Sequence, residues 1–212
     1  MGVERLGRIV IKNIALTTNF FYSMIYRILP KKEIVHNGLI ARTVSLEDIE
    51  FIRKCRNSQK EILRQNKNIE ADEQLRYYKE VVWSQLNFEN PNLILLSLFR
   101  NKQIIGYGGL VHISWENKRA EVSFVVSEDI RNDKNLYEST FSDFLTIIKK
   151  ISFESLNLSR IYTETFDIRP LHISILEKNG FNLEGRLISH VIINSDEIDS
   201  LMHGCLRANY EI

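Results

Sequence analysis

Cysteine is scarce: only Cys55 and Cys205 are present, and their separation excludes both a disulfide framework and a CxxC or Cys/His metal cluster. Such a chain suits a reducing cytoplasm. Long apolar runs are missing as well. No stretch approaches the roughly 18 to 20 residues that span a bilayer, and the first residues lack a signal peptide's apolar block and small-residue cleavage site. Neither export nor transmembrane threading is expected. Nor does one charge dominate, because 28 Lys and Arg stand against 27 Asp and Glu, a formal net charge of +1. No global field draws in nucleic acid, so a partner must be recognised locally. Repeats and low-complexity tracts are lacking. His36, His112, His190 and His203 show no metal-ligand spacing, so no metal is expected.

What is there is enough for one core: 212 residues, 44% of them hydrophobic. Residues 1–36 differ from the rest, since Arg5, Arg8, Lys12, Arg27, Lys31 and Lys32 interleave with Leu6, Ile9, Val10, Ile14, Phe20, Phe21, Ile25 and Ile28. This basic amphipathic extension suits either a peripheral contact with an anionic membrane face or packing on the domain or a partner. Pro30 ends any helix there, and the compact domain is expected over 37–212.

Within it, a strand over 39–44 leads to a helix through Asn57, opened by Ser45 and Asp48 in a capping-box arrangement. Leu75, Tyr78, Val82 and Leu86 predict a helix over 71–86. Three strands over 93–99, 103–115 and 119–127 form a meander. A helix over 136–153, a strand over 160–166 and a short helix over 170–178 follow, the last stopped by Asn179-Gly180. Two strands, 181–193 and 197–206, close the chain. The pattern is α+β: a mostly antiparallel mixed sheet with a parallel step in its middle and helices on both faces.

This order, with AEVSFVV at 120–126, RPLHISILEKNGF at 169–181 and EG at 184–185, resembles the GNAT superfamily of N-acetyltransferases, nearest to its RimJ/RimL-like branch. The stretch 199–204 is similar to that branch's last strand. IRKCRN at 52–57 resembles a signature of the members that acetylate nucleotide-activated amino sugars. The resemblance implies acetyl-CoA as co-substrate, a central splay between two parallel strands and a nucleotide-linked amino sugar of surface-glycan biosynthesis as acceptor. A homodimer fits the same expectation. It also implies that main-chain groups of Phe124, Val125 and Val126 pair with the pantetheine arm. Arg131, Asn132, Asp133, Lys134, Asn135 and Leu136 stand where a loop wraps the pyrophosphate, yet they lack the small residues that let backbone N–H groups approach phosphates. Lys134 reads either as a partly compensating point charge near a phosphate or as a solvated lysine, and Arg169, where the family has asparagine, reaches for a phosphate or pairs with Asp167.

Acetyl transfer to an amine needs a base, an oxyanion donor and a proton for the thiolate. Glu121, in an apolar strand, is the first candidate base, and Glu164 the second carboxylate near the splay. Each also reads as a structural ion-pair residue, Glu121 with Arg119. Leu176 replaces the family's tyrosine acid, which leaves His172, Tyr137 or water as proton donor. Arg56 and Asn57 suit sugar hydroxyls or a diphosphate, and Tyr107, among Gly106, Gly108 and Gly109, suits stacking on a sugar or base. Two other readings remain: a protein N-terminal or small-amine acetyltransferase, and a non-catalytic acyl-CoA-binding module.

Overall fold

The computed structural model describes residues 24–210. Most of the amphipathic extension, residues 1–23, lies outside them, while its last part joins the domain. Met24, Tyr26 and Leu29 are buried in the core, and the Tyr26 hydroxyl accepts from Leu95 N–H at 3.1 Å. Packed structure thus begins upstream of residue 37.

The strands are β1 (Glu33–His36), β2 (Leu39–Thr43), β3 (Ile94–Arg100), β4 (Gln103–Ser114), β5 (Arg119–Val126), β6 (Arg160–Phe166), β7 (Asn182–Ile193) and β8 (Asp196–Leu206). They form an eight-stranded sheet in the order β1-β2-β3-β4-β5-β6-β8-β7. All pairs are antiparallel except β5 with β6. The helices are α1 (Ile49–Asn57), α2 (Ala71–Tyr77), α3 (Glu128–Asn132), α4 (Lys134–Lys149), α5 (Pro170–Lys178) and α6 (Arg207–Tyr210). This is the expected mixed α+β architecture. Among the described residues, no helix is long and apolar enough to cross a membrane.

The parallel pair is short. Register runs from Arg119–Arg160 to Glu121–Tyr162 and stops, while β5 stays bonded to β4 out to Val126. Beyond Glu121 the two strands part, and α4 packs beneath the gap. Phe124 stacks on Phe141 at 4.5 Å between ring centres. Gly108 permits this approach: a Cβ there would lie 2.6 Å from the Phe144 ring. Gly108 therefore admits α4 rather than opening room above Tyr107, while Gly106 and Gly109 let β4 run close to the Val125 and Ile94 carbonyls of its neighbouring strands.

Local chemistry sets several boundaries. Gly180 has φ +83°, and Phe181 N–H donates to the Leu176 carbonyl at 3.0 Å. This left-handed stop explains why LEKNGF ends α5 and drops Phe181 into the core. The helix expected over 71–86 is regular only to Tyr77, then passes through a π turn (Tyr78–Val82) and a 3-10 turn (Trp83–Gln85). The widening keeps Tyr78, Val82 and Trp83 buried. At the start of α1, Ser45 N–H donates to the Asp48 carboxylate at 2.8 Å. The Ser45 hydroxyl turns to the same carboxylate instead of the helix backbone, so regular helix begins at Ile49.

Asp48 is buried and also accepts from Arg42 Nη1 and Nη2 at 2.9 and 3.0 Å and from Ser97 Oγ at 2.8 Å. It ties β2, β3 and α1 together. Asp48→Ala should strip the partners from a half-buried guanidinium and cost about 3 kcal/mol in the urea unfolding free energy. A loss within about 0.5 kcal/mol would show that the network contributes little.

Candidate active site

The splay leaves main-chain groups unpaired. Ser127 N–H donates to the Ile105 carbonyl at 2.8 Å, and an antiparallel ladder alternates. The groups of Ser123 and Val125 therefore turn toward β4, and those of Val122, Phe124 and Val126 toward the gap. Of the residues expected to pair with a pantetheine arm, Phe124 alone offers a free N–H and C=O there. Val125 is spent on β4, and the Val126 carbonyl accepts from buried Gln59 Nε2 at 2.7 Å.

Two cavities open at the splay. The smaller, about 110 Å³, is walled by Glu121, Phe124, Phe141, Thr163, Glu164, Thr165, Arg169 and His172, with Arg64 at its edge. The larger, about 360 Å³, is walled by Arg56, Glu73, Tyr77, Tyr78 and Tyr107. Both share Val111 and Ser123, so they are adjoining parts of one cleft.

Glu121 and Glu164 project from the same sheet face, since Glu121 is level with Tyr162 and Glu164 follows two residues on. Arg64, half exposed in the segment after α1, bridges them, bonding Glu121 and lying 3.3 Å from Glu164. The ion pair expected with Arg119 is thus made with Arg64 instead. The second oxygen of Glu164 makes no hydrogen bond but lies 3.5 Å from His190 Nε2, whereas the hydroxyls of Thr163 and Thr165 are buried with no hydrogen-bond partner among the described residues. Two orphaned hydroxyls on a strand that lines the cavity suit a ligand rich in amides or amines.

Arg56 lies on the larger cavity's wall, donating to the Tyr107 hydroxyl at 2.7 Å and to Gln65 at 3.1 Å. Tyr107 is buried, so its expected stacking role becomes that of lining the wall and orienting Arg56. Asn57 is not free for an acceptor. Its amide donates to the Ile69 carbonyl at 3.0 Å and accepts from Ile69 N–H at 2.9 Å. It staples the Arg64-bearing segment to α1. The Cys55 thiol, buried and pushed up to about 11, is no nucleophile.

His172 is buried and stacked flat on Phe141 at 4.2 Å. Its Nδ1 lies 2.7 Å from the Tyr137 hydroxyl and 3.3 Å from Arg169 Nη2. Burial first, then the Arg169 charge, holds its pKa well below the ordinary histidine value. The imidazole is neutral near neutral pH, which removes it as an imidazolium acid. Arg169 also donates to the Tyr137 hydroxyl at 3.1 Å. Its expected alternative partner, Asp167, is taken by Arg186 at 2.6 Å.

Where the pyrophosphate loop was expected there is no loop. Arg131 and Asn132 end α3, Asp133 is a one-residue link, and Lys134, Asn135 and Leu136 begin α4. The Asp133 carboxylate accepts from Asn135 and Leu136 N–H, each at 3.0 Å. It already occupies the donors that would meet a phosphate. The arm end of an acyl-CoA therefore fits the residues present, while the diphosphate end requires Asp133 to swing aside.

A family model described as the acetyltransferase (GNAT) domain matches residues 41–202. The chain belongs to the GNAT acetyltransferase family. It is an acyltransferase by that membership. No curated protein matches the sequence. Among solved structures, the spermidine N-acetyltransferase from Vibrio cholerae in complex with CoA and spermine is similar at 20% identity and TM-score 0.72, over 84% of this chain and 100% of that one. A chimera of that enzyme, SpeG, with hSSAT is similar at 22% identity and TM-score 0.69, over 82% and 99% of the two chains. These likenesses show the fold. They do not favour the RimJ/RimL-like or amino-sugar branch expected from the motifs.

Sequence reasoning missed Arg64, Gln59, Thr163 and Thr165. Thr163 and Thr165 flank Glu164 at the expected splay and were open to discovery. Arg64 carries no local signal, since only the fold of its segment brings it to the carboxylates.

Two outcomes follow from the site's electrostatics. Replacing Asp133 with Ser keeps a cap but removes its charge, and should tighten CoA binding about five- to tenfold by calorimetry, on the order of 1 kcal/mol. Unchanged or weaker binding would show that Asp133 does not compete with phosphate. The folded state also holds His172 neutral below the unfolded value of about 6.5. Its contribution to stability is complete above that pH and lost as pH falls, because the unfolded chain takes the proton first. Urea titrations from about pH 7.5 to pH 5 should show a decline of at most about 1.4 kcal/mol per pH unit from this group, reduced in His172→Gln. Equal slopes in both proteins would contradict it.

Proposed function

We propose that the chain transfers an acetyl group from acetyl-CoA to a primary amine on an acceptor that also carries an anionic group, as a nucleotide-linked amino sugar does. The observation behind the acceptor class is Arg56. It is half-buried on the larger cavity's wall, among tyrosines, and no salt bridge to a carboxylate forms there among the described residues. A partly desolvated guanidinium favours an anion, and its planar fork matches phosphate or carboxylate.

Acetyl-CoA supplies an activated thioester carbonyl. The free main chain of Phe124 and the orphaned hydroxyls of Thr163 and Thr165 support placing its arm along the splay. Glu121 faces the same cavity and is the group best placed to take the amine proton once Arg64 moves away. The shared walls at Val111 and Ser123 let an acceptor anchored on Arg56 extend its amine toward Glu121 and Glu164.

A polyamine is the second reading. It is favoured by the carboxylate pair itself, because Arg64 lies between Glu121 and Glu164 as a tethered cation that an ammonium group could replace. Arg56 opposes it, since a polycation in the larger cavity would meet that charge, and Glu73, the carboxylate on the same wall, is already paired with Lys67.

Turnover of a panel with acetyl-CoA separates the readings. Amino-sugar nucleotides should be acetylated in preference to spermidine and to peptide N-termini. Arg56→Met should raise KM for the anionic acceptor on the order of 10- to 100-fold, the loss of a charge-assisted contact. Preference for spermidine, with Arg56→Met indifferent or beneficial, would replace this reading with the polyamine one. Failure to bind CoA by calorimetry would leave a non-catalytic module.

A further inference from the structure

We propose that Arg169 and Tyr137 hold His172 in its Nε2–H tautomer, so that the ring presents a fixed neutral N–H donor to the carbonyl oxygen of the acyl group at the splay. The inference rests on the acetyl-CoA reading above.

The donors around Nδ1 fix the tautomer. Arg169 Nη2 faces His172 Nδ1 at 3.3 Å, and a guanidinium only donates. The Tyr137 hydroxyl accepts from the same Nη2 at 3.1 Å, which leaves its own proton for Nδ1, 2.7 Å away. The guanidinium demands a lone pair on Nδ1, and the Tyr137 hydroxyl, able to donate as well as accept, is satisfied by the same arrangement. The ring proton of the neutral imidazole must then sit on Nε2. A proton on Nδ1 would instead face a guanidinium N–H in a buried site, an arrangement that wastes both donors.

The ring cannot turn to escape this. It is stacked on Phe141 at 4.2 Å with an interplanar angle of 14°, and Phe141 is stacked in turn on Phe124 of β5. Among the described residues no hydrogen bond is made to Nε2. The ring lines the smaller cavity together with Phe124, Thr163 and Thr165, the place where the strand main chain is free. Leu176, fully buried, offers no proton at the position where the family has a tyrosine.

A neutral N–H fixed in place stabilises developing negative charge on oxygen without reorganising during the reaction. As the amine nitrogen bonds the carbonyl carbon, the π pair moves onto oxygen and returns when the C–S bond breaks. The amine proton passes to Glu121, and the sulfur departs as thiolate. His172 donates a hydrogen bond throughout and transfers no proton. Tyr137 and Arg169 are positioning residues in this scheme.

The test needs no turnover. Long-range nitrogen–proton NMR of the full chain with 15N-labelled histidine should show His172 protonated at Nε2 and unchanged across neutral pH, and Arg169→Met should admit both tautomers. Acetonyl-CoA, a ketone analogue of acetyl-CoA labelled with 13C at its carbonyl, should show a carbonyl stretch shifted to lower frequency on binding, by isotope-edited infrared spectroscopy. That shift should be lost in His172→Phe and reduced in Arg169→Met. An Nδ1–H tautomer in the wild type, or a bound carbonyl stretch that is the same in all three proteins, overturns the inference while leaving acyl-CoA binding intact. If acetonyl-CoA does not bind the wild type at all, the acetyl-CoA reading falls and the inference falls with it.

Discussion

The parting of β5 and β6 after Glu121 is the constraint on which the site depends. A parallel pair of only three register positions cannot satisfy the main chain that follows, so Phe124 is left with donor and acceptor facing a gap. The gap persists because each strand is held from its other side, β5 by β4 and β6 by β8. Beneath it, the stack of Phe124, Phe141 and His172 fills the apolar half. A cleft with unmet backbone groups is costly unless something occupies it, and it is the natural place for an extended arm that pairs like a strand.

Charge around the gap is divided. On one face two carboxylates share Arg64, a partner held by a segment that Asn57 staples at Ile69. On the other, Arg169 makes no ion pair among the described residues and spends its donors on Tyr137 and His172. An acceptor amine is drawn to the first face and an acyl carbonyl to the second. Asp133 stands apart from this division. As the cap of α4 it stabilises the helix and repels the diphosphate that helix would otherwise attract, so helix stability and cofactor affinity pull against each other at one residue.

The elements were legible because their signals are local. LEKNGF marks a helix stop through the left-handed Gly180, and the meander shows in its turns. Boundaries slipped where tertiary packing competes with helical regularity, as at the π turn after Tyr77, or where a side chain finds a distant partner, as Asp48 does in Arg42 and Ser97. Glu121, Glu164, Arg169 and His172 were named from their strands and helix and do line one cavity. Asn57 was named for its chemistry, and its chemistry is used within the fold.

The order of the strands from β2 onward and of the longer helices, family membership and the carboxylates of β5 and β6 follow from the sequence by itself, since periodicity, turn residues and motif spacing are short-range properties. The short β1 and α3 were not legible in it. Tertiary structure alone decided that Arg64 joins the two carboxylates, that Asp133 closes the phosphate donors of α4 and that the His172 ring is held neutral between Arg169, Tyr137 and Phe141. Each of these depends on which groups meet across the fold and on how far water is excluded there, and neither is written in the spacing of residues along the chain.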